Sequence, residues 1–389
     1  MRCSGGASGN SVLPEASRVP ARRSRRGFGV LEPLAVVAVC LGGFAAVAPT
    51  SAQQPDDGAS DALSAPLAVK ALLLDVAMAG ERMVAVGDRG IVLLSDDRGE
   101  SWVQARKVPT RNLLTAVCFS DAEHGIAVGH DEIVLTTQDG GQSWKRVHYA
   151  PEAQQPLLDV WCGQQGRAIA VGAYGAYYSS EDLGASWNAR KLDAKPAAGA
   201  KRDGAAAAPG DDARYEEDLG GEPHLNRIVE ASPTRFYIAG EAGHLFRSDD
   251  AGSDWIELPS PYEGSFFGIL PLGGDALLAF GLRGHLYRSE DAGASWTRIE
   301  TDTPAMLNDA VRVGAQGVVV VGLSGALLES RDGGRSFELR QQSGRQGLAA
   351  VVVANQDSAA TGAGDAPEEV VVAGEGGVKR ISLAKDGGS

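Results

Sequence analysis

The chain has 389 residues, 51 of them Gly, and a formal net charge of −14 at pH 7. Only 6% of the residues are aromatic and no long helical period is present, which is typical of an all-β protein with many tight turns. The negative charge would repel phosphate backbones, so we do not expect nucleic acid as a partner.

Residues 1–52 have the order of an export signal. Arg25 and Arg26 precede an apolar run over 30–48, and small residues follow at 50–52. This order predicts a signal that is removed, hence a periplasmic or otherwise exported protein that is not itself transmembrane. Residues 24–28 also resemble a twin-arginine signal, which leaves the export route open. A lipid anchor at Cys40 is the weaker alternative, because the preceding residues match a lipobox poorly.

Removal of the signal makes the protein more acidic. Residues 1–52 carry six Arg and two Glu, and the whole chain has 36 basic and 50 acidic residues, so the mature net charge would be about −18.

After a flexible linker over 53–64, one pattern recurs along the chain. A Gly-x-x-Gly turn is followed by an alternating strand and then by Ser-x-Asp-x-Gly-x-Ser-Trp, as in Gly87–Gly90 and Ser95–Trp102. The closing aromatics of six such copies lie 42, 43, 68, 41 and 41 residues apart. A unit of about 40–45 residues is the length of one four-stranded propeller blade. The glycine half begins at Gly87, Gly129, Gly172, Gly240, Gly281, Gly322 and Gly374, which predicts a seven-bladed β-propeller over residues 65–384.

Two stretches interrupt the repeat and are expected to be mobile insertions. They cover residues 193–223 and 355–368 and are poor in large apolar residues. The seventh unit has three candidate strands, at 348–354, 370–373 and 378–383, before a tail over 385–389. We therefore predict that residues 65–70 pair as its fourth strand and close the ring.

Two kinds of tight turn join the four strands of each unit. The glycines of the Gly-x-x-Gly turn are expected to supply positive backbone angles for a hairpin. In the second turn, which we call the Asp-box, Ser and Asp side chains bond turn amides, so its residues are predicted to be structural. They are Asp97, Trp102, Asp139, Trp144, Asp182, Trp187, Asp250, Trp255, Asp291, Trp296, Asp332 and Phe337.

The Asp-box resembles that of sialidases and other BNR-repeat proteins. Six copies retain Ser or Thr, Asp, Gly and an aromatic residue at fixed offsets, with Asp254 and Phe337 as small departures. The complete unit, with first strands such as Leu74-Asp75-Val76, is similar to the Ycf48/Hcf136 family. That resemblance implies a seven-bladed propeller that assists photosystem II assembly in oxygenic phototrophs, with relatives in non-photosynthetic bacteria. The sequence itself leaves a photosynthetic role open.

Two cysteines remain after processing, Cys118 and Cys162, near the ends of the first strands of successive units. A disulfide between them is conceivable in an oxidising compartment, but buried thiols are the favoured interpretation. No second Cys or His lies two to four residues from either, so they are not expected to bind a metal.

Alternation of the hairpins assigns the loops to two faces. The Asp-boxes and the loops between first and second strands share the Asp-box face, while the Gly-x-x-Gly turns and the connections between blades share the glycine-turn face. Residues inside the glycine turns vary within a repeated frame, as a binding surface would show. The candidate partner-binding residues on this face are Arg89, Arg111, His130, Asp131, Tyr174, Arg227, Glu241, Phe267, Arg283 and Asp309.

No catalytic residue, metal or cofactor is predicted. A sialidase would need an arginine triad and a Tyr–Glu pair, and no such pair can be assigned from the sequence. His244 and His285 are repeat equivalents on neighbouring blades, too far apart to share a metal. We therefore expect a monomeric, non-enzymatic scaffold or assembly factor that binds a protein client or a membrane-complex subunit. A glycan hydrolase or glycan-binding protein of the BNR type is the alternative.

Overall fold

A computed structural model describes residues 60–197, 221–354 and 368–383. These residues form a seven-bladed β-propeller, as the repeat predicts, and contain no α-helix. The export signal over 1–52, most of the linker, residues 198–220 and 355–367 of the two insertions, and the tail lie outside the described residues.

The strands follow the chain from blade to blade. Blade 1 contains β1 (Leu73–Ala79), β2 (Arg82–Gly87), β3 (Val92–Ser95) and β4 (Val103–Gln104), and blade 2 contains β5 (Leu114–Phe119), β6 (Gly125–Gly129), β7 (Val134–Thr137) and β8 (Lys145–His148). Blade 3 contains β9 (Leu157–Cys162), β10 (Ala168–Gly172), β11 (Tyr177–Ser180) and β12 (Asn188–Ala189), and it is followed by β13 (Ala194–Pro196). Blade 4 contains β14 (Leu225–Ser232), β15 (Arg235–Gly240), β16 (Leu245–Ser248) and β17 (Trp255–Glu257).

The last three blades continue the same order. Blade 5 contains β18 (Phe266–Gly273), β19 (Ala276–Gly281), β20 (Leu286–Ser289) and β21 (Thr297–Ile299), and blade 6 contains β22 (Leu307–Val313), β23 (Gly317–Gly322), β24 (Ala326–Ser330) and β25 (Glu338–Gln341). Blade 7 contains β26 (Leu348–Val353), β27 (Glu369–Gly374) and β28 (Gly377–Ser382). Short 3-10 turns lie at Ala68–Lys70, Asp88–Gly90, His130–Glu132, Pro151–Ala153, Gln164–Gly166, Ala173–Gly175, Glu241–Gly243, Leu282–Gly284 and Leu323–Gly325.

Each blade is an antiparallel meander whose first strand lies innermost. The first strands of successive blades contact one another around the ring, and β26 contacts β1. Apolar side chains fill the space between blades, as where Val84 and Val86 of blade 1 pack with Val117 and Ala127 of blade 2. Burial of these faces between neighbours is the main source of hydrophobic stabilisation.

The Asp-boxes tie their own turns together. In the first box Ser95 Oγ donates to Asp97 and accepts the N–H of Gly99, both at 2.8 Å. Asp97 also accepts the N–H of Ser101 at 2.8 Å, and hydrogen bonds from the Ser101 side chain and amide lower the pKa of Asp97 to about 2. The indole of Trp102 donates to the Gly99 carbonyl at 3.3 Å. The carboxylate is therefore occupied by its own turn.

Arginines join the Asp-box faces of neighbouring blades at four junctions. Arg82 donates to the Gly140 carbonyl at 3.1 Å, across the junction of blades 1 and 2. Equivalent bonds run from Arg167 to Ala251 (2.8 Å), from Arg247 to Ala292 (3.0 Å) and from Arg288 to Gly333 (3.2 Å). Because each acceptor is a carbonyl inside the next blade's Asp-box, the boxes also hold neighbouring blades in register.

The predicted closing strand at 65–70 is absent. The sheet of blade 7 has three strands, and Ala68–Lys70 forms a 3-10 turn that contacts the beginning of β28. Pro66 has no backbone N–H, which disfavours this segment as a paired strand. Ala68 is instead buried among Leu73, Val76 and Ala373, so the segment closes the gap between blades 7 and 1 by apolar packing.

The beginning of the long insertion is ordered against the next blade. The repeat pattern predicts a mobile loop from residue 193, but Ala194–Pro196 pairs as β13 in parallel with β17. The N–H of Ala197 continues this ladder to the Glu257 carbonyl at 2.9 Å. Blade 4 is therefore a five-stranded sheet whose outer edge is formed by residues that follow blade 3 in the sequence.

Cys118 and Cys162 form a disulfide, so the favoured interpretation of two buried thiols was wrong. Their Cα atoms lie 5.6 Å apart, within the range that a disulfide spans. The residues lie one repeat position apart, since Cys118 corresponds to Trp161 and Cys162 to Phe119 in the registers of β5 and β9. Successive residues of a strand face opposite sides of the sheet, so this offset lets the two sulfur atoms meet between the neighbouring blades.

We expect the disulfide to stabilise the ring by constraining the unfolded chain. It closes a loop of 44 residues, for which loop entropy gives about 2–4 kcal/mol of unfolding free energy. Chemical denaturation of a variant with Cys118→Ala and Cys162→Ala should show this loss, and reducing agent should lower the stability of the natural protein alone. Equal stability of the two proteins under oxidising conditions would contradict the expectation.

Candidate functional site

The glycine turns form a rim of fixed backbone geometry on one face of the propeller. In the first turn Gly87 has an extended φ of 179° and lies where a Cβ would meet the Leu72 carbonyl oxygen. Positive φ occurs later, at Arg89 (52°) and Gly90 (70°). The expectation that both glycines have a positive φ is thus wrong for the first of them. Gly87 allows the Leu72 carbonyl to approach closely, and the left-handed corner is formed by Arg89 together with Gly90.

Six turns share this left-handed third position. It is occupied by Arg89, Asp131, Tyr174, Ala242, Arg283 and Ser324, with φ between 50° and 58°. A left-handed conformation costs a residue with a side chain about 1 kcal/mol or more. Backbone hydrogen bonds hold the turn nevertheless, such as the one from the Asp88 N–H to the Leu72 carbonyl at 2.9 Å. The side chains at this position are therefore presented from a rigid frame.

Several of the candidate partner-binding residues stand exposed on this rim. The side chain of Arg89 is 84% exposed, 3.5 Å from the Asp88 carboxylate. Tyr174 is 57% exposed, and its ring stacks edge-on with His224 at 4.8 Å between centroids. His130 and Arg283 are also exposed.

Other candidates are committed to contacts within the protein. Asp131 accepts a hydrogen bond from the Asn112 side chain at 2.8 Å, and Glu241 accepts the His224 N–H at 3.2 Å. Arg111 donates to the Asp61 carbonyl at 3.1 Å. Phe266 is fully buried whereas Phe267 is half-buried, so only one of this pair faces the core.

A cavity of about 340 Å³ lies beside Tyr174, between blades 3 and 4. Apolar walls from Leu192, Leu225 and Phe246 meet the charged side chains of Arg190 and Lys191. His244 and Glu257 at its wall are 2.8 Å apart. A pocket with apolar walls and a few charged groups can receive a side chain or a chain terminus.

Arg227 and Asp309 do not lie on the exposed rim. They belong to a group of charged residues on the innermost strands, which we call the axial cluster: Asp75, Asp159, Arg227 and Asp309. Arg227 Nη2 lies 2.7 Å from Asp309 and its Nε 3.6 Å from Asp159. Asp309 is only 5% exposed, which corrects its placement on the partner-binding surface.

The axial carboxylates also bind backbone amides of the next blade. Asp75 accepts the N–H of Val117 at 2.8 Å, Asp159 that of Ile228 at 2.8 Å, and Asp309 that of Val351 at 2.9 Å. The cluster therefore links blades 1 to 2, 3 to 4 and 6 to 7, while Arg227 connects blades 3, 4 and 6.

Burial sets the protonation of the axial cluster. Desolvation raises the pKa of Asp75 to about 7, opposed by the Arg227 guanidinium and reinforced by the Asp159 and Asp309 carboxylates. Burial also raises the pKa of Asp159 and of Asp309, again against the pull of Arg227. For Arg227 itself burial favours the neutral form, but the three carboxylates outweigh it and raise the pKa. Arg227 thus stays charged while Asp75 titrates near neutral pH.

One glycine turn departs from the repeat, and the sequence reasoning missed it. The turn after Gly129 ends in Glu132, which has a φ of 52° and is 4% exposed. Its carboxylate accepts the Tyr178 hydroxyl at 2.9 Å and lies 3.2 Å from His148 Nε2. The visible signal was a charged residue where the other turns place Gly.

Glu132 and Tyr178 form a Tyr–Glu pair of the kind that a sialidase requires, but their electrostatics are unsuitable for a nucleophile. Burial and the hydrogen bond to Glu132 raise the pKa of Tyr178 to about 12. The phenol is therefore held in its protonated form, and the pair joins blade 2 to blade 3.

Two features are absent from the described residues, a metal-binding group and a membrane-spanning helix. No group of three or more His, Cys, Asp or Glu side chains in this part of the chain is arranged to hold a metal ion. Within the same ranges, no helix has the length and apolar character needed to cross a membrane.

The fold and the boxes define an Asp-box β-propeller. Within that class, residues 59–215 match the model of the family described as photosynthesis system II assembly factor YCF48, which confirms the Ycf48 resemblance over this part of the chain. That description is of an assembly factor rather than an enzyme. No curated protein matches the sequence significantly.

Solved structures share the fold at low sequence identity. YCF48 bound to a D1 peptide has a TM-score of 0.59 at 18% identity, covering 82% of this chain and 94% of its own. YCF48 from Cyanidioschyzon merolae has 0.60 at 17%, with coverages of 84% and 98%. The WD40 β-propeller domain of Doa1 has 0.59 at 11%, with 85% and 97%. Since the Doa1 domain fits equally well, these likenesses establish the propeller fold alone.

The raised pKa of Asp75 predicts a pH-dependent stability. In the unfolded chain the group loses its proton near its ordinary pKa of 3.8, whereas in the fold it keeps it to about pH 7. At this group the native state thus binds more protons between these values, so the contribution of Asp75 to the unfolding free energy should fall as pH rises from about 4 to about 7 and then level off. Chemical denaturation at several pH values measures this slope.

The matched variant is Asp75→Ala, because Ala116 and Ala350 occupy the equivalent position in blades 2 and 7. The difference in stability between the natural protein and this variant should shrink as pH rises through the same window. A difference independent of pH would show that Asp75 ionises normally in the fold.

Glu132→Gly restores the residue that the other turns use, yet we expect it to destabilise. The variant relieves a left-handed conformation worth about 1 kcal/mol but leaves the Tyr178 hydroxyl and His148 without their carboxylate, a loss of about 2–3 kcal/mol. The net decrease in unfolding free energy should be about 1–2 kcal/mol by chemical denaturation. Tyr178→Phe, which removes one hydrogen bond alone, serves as the smaller control, and a more stable Glu132→Gly protein would contradict the role assigned to the carboxylate.

Proposed function

We propose that this protein is an exported, non-enzymatic propeller that holds a protein client, or a subunit of a membrane complex, against its glycine-turn face. The observation that carries the proposal is the rim itself. Arg89, Tyr174 and Arg283 project from turns whose backbones are fixed, so a partner meets exposed side chains that are already in place. Preorganised side chains reduce the entropy cost of binding.

The comparisons support a protein as the partner. The family matched by residues 59–215 is described as an assembly factor, and one structure of similar fold is a YCF48 with a D1 peptide bound. An assembly factor acts by holding another polypeptide, and a peptide segment has suitable dimensions for the rim and for the cavity beside Tyr174.

The disulfide supports export. Cys118–Cys162 closes between two blades of the mature protein, and such bonds persist in the periplasm rather than in the reducing cytosol. Together with the signal-like residues 1–52, this favours a periplasmic location.

Site-specific photo-crosslinking tests the glycine-turn face. A photoreactive amino acid at position 174 should give adducts with a defined protein in membranes of the source organism. The matched control is position 183, because Leu183 is also exposed and left-handed (φ 60°) in the same blade but belongs to the Asp-box. Adducts of equal yield at both positions, or none at 174, would refute the proposal.

A charge reversal provides the second arm. Arg89→Glu should remove the adducts formed at position 174, because it reverses the most exposed charge of the rim. Arg98→Glu is the control, since Arg98 is likewise exposed and left-handed (φ 61°) in blade 1 but lies on the Asp-box face. Loss of crosslinking in both variants would point to long-range electrostatics instead of a local contact.

A further inference from the structure

The outer edge of blade 7 differs from that of every other blade. Six blades have a fourth strand, whereas β28 is the outermost of the three strands in blade 7 among the described residues. The architecture therefore leaves a position for one more short strand beside β28. An unpaired sheet edge is a template for adding a strand.

The hairpin geometry determines which backbone groups face this open position. β27 and β28 are joined through Gly374 and Gly377, which pair directly across a two-residue turn. Such a closing pair is hydrogen-bonded, and bonded and non-bonded pairs then alternate along the strands. Val378, Arg380 and Ser382 therefore direct their N–H and C=O groups outward. These groups match the needs of an added antiparallel or parallel strand.

The described N-terminal residues cover only one end of this edge. The Val69 backbone lies against Gly377 at the turn. Before that point the segment follows blade 1, since Ala65 donates to the Gln104 side chain at 3.0 Å and Ala62 to the Val108 carbonyl at 2.8 Å. Val378 packs in the same apolar cluster as Val69, and the edge beyond it, from Lys379 to Ser382, is left uncovered by this segment.

The charges around the edge indicate what kind of strand fits. Lys70 and Lys379 are exposed and form no ion pair with other described residues. At the far end Arg340 lies 3.5 Å from the Ser382 carbonyl but also 2.9 Å from Glu329, and Arg380 is paired with Glu100 and Glu369. Lys70 and Lys379 therefore carry the positive charge of this edge that no described carboxylate neutralises. Cross-strand pairs of opposite charge stabilise a sheet, so acidic side chains are favoured.

We propose that the outer edge of blade 7 accepts an extended, acidic segment of a partner protein as the missing fourth strand of the blade. This surface is separate from the glycine-turn face and does not depend on the client proposed for it. The backbone of β28 supplies the hydrogen bonds, and Lys70 and Lys379 select for carboxylates.

The test uses the full mature chain and a short synthetic peptide in which glutamate alternates with valine. Calorimetry should show binding, and hydrogen–deuterium exchange should show protection confined to residues 377–383. A peptide of the same sequence with alternate amides N-methylated keeps the side chains but cannot pair, so it should not bind. A peptide with lysine in place of glutamate should bind about tenfold more weakly.

Two protein variants separate the backbone from the charges. Val378→Pro removes an outward N–H without breaking the ladder to β27, and it should weaken peptide binding up to about tenfold at an unchanged melting temperature. In a variant with Lys70→Glu and Lys379→Glu, preference should switch to the lysine peptide. If Val378→Pro lowers the melting temperature, the peptide preference of the charge-reversed variant alone tests the proposal, because Lys70 and Lys379 are exposed and their substitution should not affect folding.

Several results would overturn the proposal. Absence of binding at about 1 mM peptide, equal binding of the N-methylated peptide, or protection elsewhere on the protein would each do so. Slow exchange of the outward amides of Val378, Arg380 and Ser382 already in the free protein would mean that another segment of the chain or a second copy fills the position. Sedimentation velocity distinguishes those two, and either one refutes an acidic partner strand.

Discussion

A charged guanidinium, half-buried near the propeller axis, is the constraint on which the ring depends. Arg227 cannot shed its charge, so it requires carboxylates, and Asp159 and Asp309 provide them from blades 3 and 6. Blade 5 presents Gly268 at the equivalent position and contributes no side chain there. The same carboxylates accept the amides of Ile228 and Val351. The two ionic contacts of Arg227 and the two blade-to-blade hydrogen bonds therefore use the same two carboxylates, and a shift of any of these blades disturbs all four.

The two faces divide stability from recognition. On the Asp-box face, carboxylates serve their own turns and arginines such as Arg82 bind carbonyls of the next blade. The hydrogen bonds of these side chains are therefore made within the protein. On the glycine-turn face the backbone supports itself, which leaves residues such as Arg89 and Tyr174 free to vary without loss of the turn. Repetition thus fixes the scaffold while leaving this position in several blades, as at Arg89 and Tyr174, without a role in holding the turn.

The sequence predicts those features whose residues lie close together in the chain, and it does not predict those whose residues lie far apart. The boxes and glycine turns are local, so spacing alone predicts seven blades and nearly all strands, and the exposed position of Arg89 and Tyr174 follows with them. Contacts across the ring are not local. The link from Arg227 to Asp309 spans 82 residues and blade 5, and no pattern within one repeat shows that these side chains meet. The disulfide, by contrast, joins the first strands of adjacent blades one position out of register, and strand adjacency with side chains on facing sides could have favoured it.

The paired strand β13 determines how much of the long insertion the fold requires. β13 runs parallel to β17 and ends on the glycine-turn face at the outer edge of blade 4, whereas β14 starts on that face at the inner edge. Four interstrand spacings, about 19 Å, separate these edges. About six extended residues cover that distance. The chain between Pro196 and Leu225 has 28 residues, many more than this chord demands, so the distance between the two strands does not by itself set the length of the insertion.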